Sequence, residues 1–124
     1  MAASAIILFA HGARDPEWAQ PFKKIKRLLE AKRPGTTIKL AFLELMPPAL
    51  PDAVAKLAES GHRSITIAPL FMAQGGHLKN DLPKILDALR ADYPQTTITL
   101  LPAIGDVDPV LEAIADWLVG ATVH

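Results

Sequence analysis

The sequence predicts a single α/β domain: a four-stranded parallel sheet flanked by helices. Three observations predict it. Short apolar runs alternate with helix-periodic stretches along the chain, which is the βα pattern of a parallel sheet. At 124 residues the chain is one domain by size, and such a domain buries roughly two-thirds of its unfolded surface. Half of its residues are apolar, so a core can form without disulfides or a structural metal.

The first strand is expected over roughly 5–10, from Ile6-Ile7-Leu8-Phe9-Ala10. Trp18, Phe22, Ile25 and Leu28/Leu29 then recur at helical spacing, with Lys23, Lys24, Lys26 and Arg27 on other faces. Pro21 is awkward inside a helix, so regular helix should begin close to it, and Pro34-Gly35 should stop it near Arg33. The second strand is expected over roughly 36–43. Pro47, Pro48 and Pro51 delay the next helix to about 50–60, where it carries Ala53, Val54, Leu57 and Ala58 and closes on Gly61 in a C-cap position.

The third strand is expected over roughly 63–70. A helix of about 79–92 should bury Leu82, Ile85, Leu86 and Leu89 and end at Tyr93-Pro94. A fourth strand at roughly 96–101 precedes a last helix near 107–119, which presents Val110, Leu111, Ile114 and Leu118. By analogy with flavodoxin-like sheets, the strand order should be 2-1-3-4. A faint echo links Pro34-Gly35-Thr36-Thr37-Ile38-Lys39-Leu40 with Pro94-Gln95-Thr96-Thr97-Ile98-Thr99-Leu100. A duplicated βαβα half explains it, and so does convergent strand composition. Under that alignment Ile104 takes the place of Glu44.

Composition excludes several classes. No cysteine is present, which removes disulfides, thiolate nucleophiles and sulfur-ligated metals and fits a reducing, cytoplasmic setting. Thirteen basic residues balance thirteen acidic ones, so nothing reads as a nucleic-acid surface. The apolar runs fall far short of the ~20 residues needed to span a bilayer, so no membrane partner is expected. Met1-Ala2-Ala3-Ser4-Ala5 lacks the basic start and long apolar region of a signal peptide.

His11, Glu44 and His77 recur at intervals of 33 residues, each at or just past the end of an apolar run. If the runs are parallel strands, the three side chains gather at one sheet edge, where open α/β sheets bind ligands. Two imidazoles and a carboxylate there suit a borderline divalent metal. Gly12 lets the chain turn sharply after His11. Arg14 either pairs with an anionic substrate group or is solvated, and Asp15-Pro16 can simply start the next helix. Apolar neighbours imply that Glu44 is partly buried, so it needs a metal, a pyrrole N–H or a basic side chain as partner.

Gly75 and Gly76 precede His77 in a turn whose N–H groups suit carboxylates or phosphates. Lys79 faces substrate or is plain surface, and Asn80 or Asp81 can cap the helix. Neither the dinucleotide fingerprint nor the P-loop is present. His62 lies at a helix-to-strand corner on the opposite edge, His124 is terminal and expected to be disordered, and the Trp18/Phe22 pair reads as core.

His11-Gly12-Ala13-Arg14, Phe42-Leu43-Glu44 and the run from Pro69 through Gly75-Gly76-His77-Leu78-Lys79 to Pro83 resemble the CbiX-type sirohydrochlorin chelatases. The resemblance covers roughly residues 5 to 105. It implies a class II chelatase in the short, single-domain form, which dimerises. It implies metal insertion into a tetrapyrrole, with His11, Glu44 and His77 as metal ligands and catalytic groups. Arg14, Lys79 and the N–H groups of Gly75 and Gly76 would receive substrate carboxylates. Cobalt, iron or nickel would be substrate, with no permanently bound cofactor. Where members often have serine this chain has Ala13, so any hydroxyl role there is absent.

Insertion requires removing two pyrrole protons and handing the ion over from weaker ligands. Neutral imidazoles hold these metals and accept protons near neutral pH, and a carboxylate completes the site or acts as base. The rival readings are a non-catalytic metal carrier with the same triad, a two-histidine-one-carboxylate iron oxygenase, and a generic flavodoxin-like module. The oxygenase usually sits on a β-barrel with two ligands close in sequence, and the flavodoxin-like module needs a phosphate loop that is not present.

Overall fold

The computed structural model describes residues 3–122, with His77 by its backbone alone. Four strands, β1 (Ala3–Ala10), β2 (Thr37–Phe42), β3 (His62–Pro69) and β4 (Thr97–Leu100), alternate with four helices, α1 (Gln20–Lys32), α2 (Leu50–Glu59), α3 (Gly76–Asp92) and α4 (Asp108–Ala121). The strands pair in parallel in the order β2-β1-β3-β4, as the sequence predicts. The chain steps from β1 to β2 in one direction and from β2 to β3 and β4 in the other. Right-handed crossovers therefore put α1 on one face of the sheet and α2 and α3 on the other.

Register shows which residues share a face. Ala5, Ile7 and Phe9 of β1 stand beside Ile65, Ile67 and Pro69 of β3. With Ile98 of β4, the apolar members of this layer meet Val54 and Leu57 of α2 and Leu82 and Leu86 of α3 in the main core. On the opposite face, Ile6, Leu8 and Ala10 stand beside Ile38, Leu40 and Phe42 of β2. A smaller cluster there contains Ala10, Ala19 and Phe42, with Trp18 and Phe22 packed on it. The Trp18 and Phe22 rings lie 4.7 Å apart, so this pair is packing rather than a cofactor stack.

Local chemistry sets the element ends. The Asp15 carboxylate accepts from the Glu17 N–H at 2.9 Å and starts a 3-10 turn over Pro16–Ala19 that feeds α1, with Pro21 in its first turn. Gly61 follows α2 at φ +93°, the left-handed position that favours glycine after a helix. The two echoed segments enter their strands alike. Arg33 and Tyr93 both close a helix near φ −130°, ψ 66°, and Thr36 and Thr96 each donate to them at 3.0 Å. His62 bridges the Leu57 carbonyl and the Thr37 hydroxyl at the amino-terminal edge, a structural role. Nearby, Tyr93 reaches Glu59 at 3.4 Å, and partial burial first, then that carboxylate, raises the phenol pKa.

Several expectations shift. α3 begins at Gly76, so Asn80 and Asp81 lie inside it and cap nothing, and Pro83 sits in its interior. Ile25 and Leu28 of α1 are exposed, and α4 buries none of its residues. His124 lies outside the described residues. Among the described residues no helix is long and apolar enough to cross a membrane.

Candidate functional site

The carboxyl edge of β1 and β2 does not end where the strands do. Leu43 donates to the Ala10 carbonyl at 2.9 Å and Glu44 to the His11 carbonyl at 3.0 Å, so the ladder runs on past both strands. His11 and Glu44 are thus locked side by side by their backbones. Gly12 is bound to this contact. It adopts φ +90°, and a Cβ there would overlap the Glu44 carbonyl oxygen.

After Glu44 the chain turns tightly. Met46 donates to the Glu44 carbonyl at 2.8 Å across Leu45, whose φ is +66°. This γ-turn holds a leucine in a conformation that branched and bulky residues avoid, the kind of strain that gathers at binding sites. It also corrects the expected burial of Glu44. The turn carries Leu43, Glu44 and Leu45 off the sheet edge, and all three are exposed. Among the described residues no basic side chain pairs with Glu44, the ion pairs being Lys26–Glu30 and Arg90–Asp87. An exposed carboxylate needs no internal partner, so this one is open to a ligand from solvent.

His11 is exposed as well, and its ring rests on Phe71 with centroids 4.4 Å apart. Phe71 is 2% exposed and packs edge-on against Phe9, so the imidazole stands on a rigid aromatic base. Sequence reading missed this role, because the contact joins the end of β1 to the loop after β3. Gly105 secures the same loop. Its N–H donates to the Phe71 carbonyl at 3.1 Å, and a Cβ on it would overlap the Met72 carbonyl.

The remaining candidates surround this pair unevenly. Because β3 lies beside β1, α3 starts on the same edge, and the backbone of His77 is in its first turn. The His77 side chain, the third member of the expected triad, lies outside the described residues. Among the described residues no cluster of three His, Asp or Glu side chains forms.

Gly75 is the N-cap residue and supplies no side-chain cap, which leaves the first N–H groups of α3 without intrahelical partners. A Cβ on Gly75 or Gly76 would meet nothing within 4 Å, so both glycines face open space. Lys79 is exposed in the first turns of α3. Arg14 lines a groove of about 440 Å³ with Lys23, Leu45 and Met46, which puts two cations beside an apolar wall. Exposed Leu45 and Met72 add an apolar lip, each 58% accessible. The arrangement offers an imidazole and a carboxylate to a cation, apolar surface to a flat ligand, and cations to its acidic substituents.

The CbiX family model matches residues 5–119. A sirohydrochlorin cobaltochelatase of Methanopyrus kandleri is 40% identical over 82 residues, covering 66% of this chain and 57% of that protein. One of Methanococcus maripaludis is 26% identical over 88 residues, covering 71% and 61%. The chain thus spans about three-fifths of the length of these curated relatives. A crystal structure of a CbiX protein of Marinobacter aquaeolei VT8 superposes with a TM-score of 0.81 at 31% identity, covering 95% and 96% of the two chains. The sirohydrochlorin chelatase SirB of Bacillus subtilis, in complex with cobalt, shares the fold with a TM-score of 0.76 at 23% identity, this chain covering half of it.

Proposed function

Because the chain belongs to the CbiX family, we propose that it inserts a divalent metal, cobalt foremost, into sirohydrochlorin. The observation that carries this is the His11–Glu44 pair, held by backbone bonds at an exposed sheet edge beside Leu45. The names of the curated relatives favour cobalt over iron or nickel. The setting is cytoplasmic, in keeping with a chain without cysteine.

The chemistry follows from the donor types. An imidazole at His11 takes the incoming ion, and Glu44 completes its coordination or removes a pyrrole proton. His77, from the first turn of α3, supplies the second imidazole. Thiolates would hold such ions too tightly for transfer, and none is present. Leu45 and Met72 offer apolar contact to the macrocycle. Arg14, Lys79 and the first N–H groups of α3, those of Gly76 foremost, receive its carboxylates, with Gly75 and Gly76 leaving the space for them. The working unit is a homodimer, because one domain with a single open edge cannot enclose a macrocycle.

Absorbance of sirohydrochlorin on adding protein and cobalt, iron or nickel tests the reading. A spectral change faster than the uncatalysed one is the expected result. Metal binding with no acceleration would leave a carrier and overturn the chelatase. His11→Ala and His77→Ala should each nearly abolish insertion, and wild-type rates in both would overturn the assignment. Glu44→Gln slower than wild type but faster than Glu44→Ala marks a ligand, and equal, complete loss marks a proton-transfer role.

A further inference from the structure

β2 is an edge strand that pairs only with β1, so its other side is open. Successive residues of a strand aim their N–H and C=O groups to opposite sides. Leu43 donates inward to Ala10, whereas Phe42 donates outward to the Pro48 carbonyl at 2.9 Å. By the same alternation Ile38 and Leu40 face outward. Their N–H and C=O groups have no backbone partner among the described residues. The edge already takes a strand at its far end, where Phe42 forms a parallel bridge with Ala49. Open edges of this kind recruit a further strand.

Side chains of a strand added there would alternate between two grooves. Lys39 stands beside Ile7 in register and so is on the α2 face, while Leu40 stands beside Leu8 on the α1 face. On the α2 side a groove of about 670 Å³ runs along the strand, walled by Pro48, Ala53 and Leu57. Lys39 and Lys56 line it as well, against one carboxylate, Asp52. On the α1 side a smaller groove of about 320 Å³ is lined by Lys23, Lys26, Arg27 and Leu40. Lys26 is paired with Glu30 at 3.1 Å, which leaves Lys23 and Arg27 to a ligand. Acids and bases balance over the whole chain, so this flank holds a local excess of cations.

We propose that the β2 edge binds an extended segment of another protein, in which carboxylate and apolar side chains alternate. The segment adds a fifth strand to the sheet by pairing with Ile38 and Leu40. Its apolar side chains enter the α2-side groove, and its carboxylates meet Lys23 and Arg27.

Charge selects this occupant. A second copy of the chain does not suit the edge, because two β2 edges side by side would set Lys39 and the α1 cations against their own kind. An alternating acidic strand turns the same charges from a guard into a contact. The inference stands apart from the chelatase reading, since it uses no group assigned to metal or macrocycle.

The probe is the peptide acetyl-Glu-Val-Glu-Val-Glu-Val-amide, titrated into the isotope-labelled full chain and followed by amide NMR. Saturable shifts at Ile38 and Leu40 are expected, with Kd below ~1 mM and slowed hydrogen exchange at both amides. Leu40→Pro removes an outward donor, which an edge strand tolerates, and should weaken binding about tenfold. Arg27→Glu should weaken it as much through charge, with unchanged circular dichroism. N-methylation of one alternate set of peptide residues, Glu or Val, should abolish binding while the other set is tolerated, because only one set donates to β2. An equal effect of the two sets, or shifts confined to α1, would mean charge attraction without strand pairing and overturn the proposal. Equal binding of the peptide with Lys for Glu would overturn it, as would no saturable shift below ~5 mM. Slow exchange at Ile38 and Leu40 in concentrated protein alone, lost on dilution, would put a second copy on the edge and overturn it too. None of these readouts involves metal insertion.

Discussion

Gly12 and Gly76 each adjoin one of the two histidines in the chain, in opposite circumstances. At Gly12 the backbone is left-handed and a Cβ would strike the Glu44 carbonyl, so the fold itself demands glycine. Gly12→Ala is therefore expected to destabilise the protein by more than ~2 kcal/mol and to lose insertion with it, measured by denaturant unfolding. At Gly76 the backbone is already helical and a Cβ meets nothing. Gly76→Ala should leave stability unchanged or raise it by up to ~1 kcal/mol, because alanine is the better helix former. If the macrocycle approaches there, the same substitution should cut insertion severalfold. Unchanged insertion kinetics would remove Gly76 from the substrate surface. The sequence marked both glycines as turn residues, but only the neighbouring atoms separate a steric demand from a vacancy.

Elements were legible where periodicity is strong. All four strands and helices lie within a few residues of their expected places, because alternating apolar runs can be buried in few other ways. What the pattern could not carry was the path between elements. Nothing in Leu43-Glu44-Leu45-Met46 signals a γ-turn, so the apolar flanks of Glu44 read as burial when the turn in fact exposes them. Gly76, the first residue of α3, was read as loop because glycine is a poor helix former, and α3 starts three residues early as a result. Phe71 was visible as apolar but not as the base beneath His11, since that contact joins β1 to the loop after β3. The turn at Gly105 ties this loop to α4. Gly105→Ala should cost on the order of 1–3 kcal/mol through overlap with the Met72 carbonyl. It should also disturb Phe71, so cobalt insertion should fall in those molecules that remain folded, as insertion assays beside thermal unfolding would register.

The whole molecule leaves apolar surface unburied in more than one region. His11 and Glu44 lie at the carboxyl edge of the sheet with exposed Leu45 and Met72, whereas Trp117 and Leu118 are exposed on α4. The amphipathic period of α4 was readable, but a period reports that a face exists and not what covers it. If the working unit is the homodimer, the edge that holds a flat ligand is completed only in the assembly, and catalysis becomes concentration-dependent. Specific activity per chain should then be constant at high protein concentration and fall on dilution through the dimer dissociation constant, because mass action empties the assembled state. Coincidence of the two midpoints, in sedimentation and in initial insertion rate, is the expected outcome. Specific activity that stays flat while the dimer dissociates would mean that one domain suffices for insertion.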